Sequence, residues 1–70
     1  MEVVSYFDTS RNRKREFRRL RICRDGNMYV LEALICKTFS DETVCEEIDR
    51  GEFGTEKEAR AEYEKWIREI

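Results

Sequence analysis

The groups able to do chemistry in this 70-residue chain are few, and their spacing narrows what they can do. There is no histidine, so the usual proton carrier near neutral pH is missing. Two carboxylate pairs are nominal substitutes, Glu46 with Glu47 and Asp49 with Glu52. Neighbouring residues of a strand point to opposite faces, so Glu46 and Glu47 cannot converge on one substrate. A cysteine nucleophile needs a base and a depressed pKa, and an arginine such as Arg21 near Cys23 does not complete that constellation. Cys23, Cys36 and Cys45 have no CxxC spacing and no histidine to finish a zinc site. The chain is therefore expected to be no enzyme and to hold no metal or cofactor.

Charge is the remaining resource, and it is unevenly placed. Arg11 to Asp25 holds eight basic and two acidic residues, a local charge of +6, while Asp41 to Ile70 holds eleven acidic and five basic residues, a local charge of −6. The net charge of −2 conceals this separation. The run RNRKREFRRLRICR has the character of a phosphate-binding segment. Arg11, Arg13, Lys14 and Arg15 would hold phosphates from a loop, with Arg19 and Arg21 projecting from a sheet face. Against that stands an isoelectric point near 5.2, far from the basic values of duplex-binding domains.

These groups must be positioned by a small fold. Seventy residues make one domain, residues 1–70, and 43% charged residues balanced to a small net charge alongside 11% aromatics favour a folded chain over a disordered one. The β-branched and aromatic run EVVSYF predicts a first strand over residues 2–7. Asp25-Gly26 between two apolar-bearing runs predicts a type I′ hairpin, in which Cys23 faces Met28, Arg21 faces Val30 and Arg19 faces Glu32. SDET, residues 40–43, reads as a four-residue turn that sets Phe39 opposite Val44 and Ile35 beside Ile48. Alternation then sorts the sheet into an apolar face (Leu20, Ile22, Tyr29, Leu31, Ala33, Ile35, Phe39) and a mixed face with Phe17, Arg19, Arg21, Cys23, Met28, Val30, Glu32, Leu34 and Cys36. Glu47 and Asp49 fall on the mixed face as well.

The C-terminal helix is the best-specified element. Thr55 and Glu58 form a capping box, and Ala59, Tyr63, Trp66, Ile67 and Ile70 make one apolar stripe. The fold class is thus α+β, an antiparallel four-stranded sheet in the order β-β-β-β-α with one helix packed on one face. The mixed face is left without a partner and open for contact. No apolar run approaches the ~20 residues a membrane span needs, and residues 1–20 hold no signal-peptide core. Reduced thiols in a cytoplasmic protein, with no membrane partner, are the expectation.

GEFGTEKEARAEYEKWI, residues 51–67, resembles the end of the small arm-type DNA-binding domain of tyrosine-type phage integrases. In that family a three-stranded sheet passes through a glycine–aromatic–Thr–x–x–Glu–Ala turn into a C-terminal helix, and Gly51, Phe53, Thr55, Glu58 and Ala59 carry the match. The resemblance implies a sheet face that binds DNA. By size and charge alone the chain is also similar to small phage-encoded anti-CRISPR inhibitors, which implies a protein that fills the cationic nucleic-acid channel of a host enzyme with carboxylates. Three functions follow as expectations. The leading one is an occluding protein binder, with Phe17, Arg19, Arg21, Val30, Leu34, Glu47 and Asp49 on the sheet and Glu62 and Glu64 on the helix as contacts. The others are a DNA-binding sheet face and a homodimeric adaptor.

Overall fold

The computed structural model describes residues 1–10 and 15–69. Strands β1 (Glu2–Asp8), β2 (Glu16–Asp25), β3 (Met28–Phe39) and β4 (Glu42–Phe53) form one antiparallel sheet in the order β1-β2-β3-β4, followed by helix α1 (Glu56–Glu69). The expected α+β architecture is the one observed, and β1 lies beside β2, a placement the residues alone leave open.

The core forms where α1 crosses β2, β3 and β4. Leu20, Ile22, Leu31 and Ala33 rise from the sheet to meet Ala59 and Tyr63, with Val4, Tyr29, Phe53, Trp66 and Ile67 packed round them. Five of the seven residues assigned to the apolar face reach this cluster, and so does the helix stripe up to Ile67. The helix start is built as its residues dictate. Thr55 Oγ1 accepts from the Glu58 amide at 3.3 Å and donates to Glu58 Oε1 at 3.2 Å, so the pair closes hydroxyl to carboxylate. Just before it, Gly51 leaves room for the Phe53 ring, which would lie 3.0 Å from an added Cβ.

Both hairpin turns differ from expectation in the same way. The first loop is Gly26-Asn27, closed by Asp25 opposite Met28. Only Gly26 of the two has a positive φ, 62°, the pattern of a type II′ turn with glycine first. The second loop is Ser40-Asp41, closed by Phe39 opposite Glu42, again with a positive φ (53°) at its first residue. Each turn therefore slides its pairing by two residues: Arg21 faces Glu32, Arg19 faces Leu34 and Ile35 faces Glu46. A slide of two preserves which face each side chain takes, so the core face is right although the pairs are not.

Two further expectations are corrected. Cys36 and Cys45 are joined as a disulfide across β3 and β4, and only Cys23 is a free thiol, buried in β2. The mixed face is largely closed too: Phe17, Val30 and Leu34 keep 4%, 2% and 6% of their surface, and of the apolar residues expected to lie open there Met28 is exposed. Arginines lying flat contribute to this cover. The Arg19 guanidinium sits 5.4 Å from the Phe17 ring centroid and 5.6 Å from that of Tyr6.

Candidate protein-docking surface

The accessible surface is built by β4. The β-branched Thr43, Val44 and Ile48 favour an extended chain, and β3 pairs with one side of it. Its other side has no strand beside it among the described residues, since β4 ends the sheet. Every residue from Glu42 to Arg50 is exposed. The strand carries five carboxylates (Glu42, Glu46, Glu47, Asp49, Glu52) against one cation, Arg50, which reaches Glu47 and Glu52 at 3.7 Å each. Three of its five carboxylates are thus left outside that bridge.

A bulge sets the faces of this strand. Leu34 pairs with Glu47 and Ala33 with Asp49, so Ile48 is the extra residue. Glu47 consequently stands on the mixed face and Asp49 on the helix face, which corrects their expected shared face. Asp49 lines a cavity of about 160 Å³ with Arg18, Leu20, Ala33, Ile48, Trp66 and Glu69, at the end of the helix. Farther out, where α1 no longer covers the sheet, Ile35, Lys37, Phe39, Val44 and Glu46 line a second hollow of about 220 Å³. Phe39, Val44 and Ile48, expected on the core face, are exposed instead, because the core under α1 does not extend to them. Open apolar area therefore includes the far half of the helix face, while on the mixed face Val3, Tyr6 and Met28 stay exposed around the sealed Phe17, Val30 and Leu34.

The other anticipated contact residues fare unequally. Arg19 makes a two-pronged pair with Asp8, Nε to Oδ1 at 2.7 Å and Nη2 to Oδ2 at 2.9 Å, and its pKa is pushed up by that hydrogen-bonded carboxylate. Arg21 donates to Glu32 at 3.1 Å. The two sheet cations are thus already engaged by carboxylates. Arg15 is exposed, with φ at 61°, a left-handed value uncommon for a side-chain-bearing residue. Arg11, Arg13 and Lys14 lie outside the described residues. On the helix, Glu62 accepts from Trp66 Nε1 at 3.0 Å and is half-buried, while Glu64 is exposed.

Cys23 is chemically quiet. Burial, and after it the negative charge of Glu32, push its thiol up from the ordinary range, so the reactive thiolate is disfavoured. The contributors missed from sequence are Val44, the bulged Ile48 and the Cys36–Cys45 link. A two-residue turn at Ser40-Asp41 would have set the two cysteines opposite each other directly. Comparison of the chain with family models, with curated proteins and with solved structures finds no match.

Proposed function

We propose that this chain is a non-enzymatic binding protein that occupies the cationic, nucleic-acid-binding surface of a partner enzyme, in the manner of small phage-encoded inhibitors. The observation that carries the reading is β4, which is exposed at every residue from Glu42 to Arg50 and carries five carboxylates to one cation over Glu42–Phe53. A dense acidic edge beside an apolar hollow supports both fast, charge-steered encounter and a dry anchor once contact is made. The paired states of Arg19 and Arg21 weigh against DNA binding through the sheet, because a guanidinium held by Asp8 or Glu32 offers a phosphate little net charge. Like charges weigh against a homodimer through β4.

The test is affinity capture from the native host, followed by competition on the captured protein. The captured protein is expected to bind nucleic acid and to lose it to this chain. Reversing Glu46, Glu47 and Glu64 to lysine should slow association by roughly tenfold or more. Duplex binding by the chain itself, falling steeply with salt and lost in a folded Arg19→Ala/Arg21→Ala variant, would overturn the reading.

A further inference from the structure

We infer that β4 takes up an extended, basic segment of a partner protein as a fifth strand of the sheet. The inference rests on the occluding-binder reading and names how that partner is held. Its first support is backbone geometry. In an antiparallel pair, residues alternate between exchanging both hydrogen bonds with the neighbour and pointing their N–H and C=O groups away from it. The Cα atoms of Cys36 and Cys45 are 4.0 Å apart, the close spacing of a pair that does not exchange hydrogen bonds. Alternation then assigns Thr43, Cys45 and Glu47 the same orientation, so all three aim their backbone groups outward from the sheet. Such a row of unmet donors and acceptors is what an incoming strand needs.

Charge selects the occupant. A second copy added antiparallel through β4 would set five carboxylates against five. The β4 edge therefore refuses a copy of itself and favours lysine or arginine. The side-chain pattern is specified too. On the helix face the added strand would meet Glu42, Glu46 and Asp49 beside Val44, Ile48 and the hollow lined by Ile35 and Phe39, which calls for cations whose apolar stems lie along that hollow. On the other face it would meet Thr43 and Cys45, with Glu47 and Glu52 already shared by Arg50, which calls for uncharged apolar residues. The matching segment alternates basic with apolar residues.

The experiment uses the oxidised full chain, a peptide acetyl-Lys-Val-Lys-Val-Lys-Val-Lys-amide, and the same peptide N-methylated at alternate residues to block its ladder. Amide exchange read by NMR is expected to slow tenfold or more at Thr43, Cys45 and Glu47 with the first peptide and not with the second. Thr43→Pro, which removes an outward N–H and leaves the β3 ladder intact, should weaken binding at least tenfold without lowering stability. Equal binding of both peptides without amide protection would sink strand addition while leaving a charge-based binder standing. No binding of either peptide would also sink it, and the capture experiment above then decides the broader reading separately. Protection of these amides in the chain alone, with a dimer in light scattering, would replace the basic strand by a second copy.

Discussion

Strands β3 and β4 are neighbours of equal length, twelve residues each, and they live in different solvents. Six residues of β3 are buried and none of β4. The difference does not come from β-branched content, since each strand carries one Val, one Ile and one Thr. It comes from neighbours. β3 has β2 on one side, β4 on the other and α1 above, so even Glu32 is drawn in, whereas β4 has one neighbour and a helix that turns away before its first half. In a domain this small, being flanked on both sides separates structural residues from ones free to meet a partner.

The largest test of this contrast is a pair of truncations. Leu31→Ala in β3 removes a fully buried side chain beneath α1 and should cost about 2–5 kcal/mol in equilibrium denaturation, enough to unfold most of the population. Val44→Ala in β4 should cost less than about 0.5 kcal/mol. If the two cost similar amounts, the outer side of β4 is covered in solution and the contrast fails.

How far this contrast was readable in the residues depends on the period of a strand. The helix, its Thr55 cap and the face shared by Leu20, Ile22, Leu31 and Ala33 were legible because turn errors of one position move pairings by two and leave faces alone. The pairs themselves were not legible. Asp25-Gly26 suits a turn with two positive φ values, yet glycine also serves as the first residue of a type II′ turn, and here Gly26 does so with Asp25 outside the loop. The candidate site suffered more, since the bulge at Ile48 reverses faces beyond it and no local signal marks it. Burial of Phe17, Val30 and Leu34 is hidden for another reason: the order of residues does not show that Arg19, expected to project from the sheet, lies across the Phe17 and Tyr6 rings.

A second test compares two cross-strand ion pairs. Arg21 and Glu32 join the two central strands, and the Glu32 side chain keeps only 7% of its surface, against 35% for Arg21. Arg21→Ala leaves that carboxylate buried and uncompensated, with an expected loss of about 2 kcal/mol after allowance for the half-open arginine. Arg24 and Glu2 meet at 2.6 Å at the β1 edge, both well exposed, and Arg24→Ala should leave the denaturation midpoint unchanged. A DNA-binding defect in any Arg21 variant therefore has to be read alongside its stability.

The smallest effect concerns the thiol of the central strand against the bonded cysteine of the edge. Cys23 is free and its pKa is raised by burial, while Cys36 and Cys45 are bonded and do not titrate. Once pH passes the ordinary thiol value of ~8.5, the unfolded chain releases the Cys23 proton and the folded chain retains it. The unfolded state then binds fewer protons, so stability falls as pH rises through this range and is unaffected below it. Cys23→Ala should remove that part of the decline, measured as the difference between wild-type and variant stabilities from pH 7 to pH 9.5, and slow alkylation of the wild-type thiol should accompany it. A difference that stays flat with pH would mean that Cys23 reaches solvent in the folded chain, and the division between a sealed centre and an open edge would then have to be redrawn at β2.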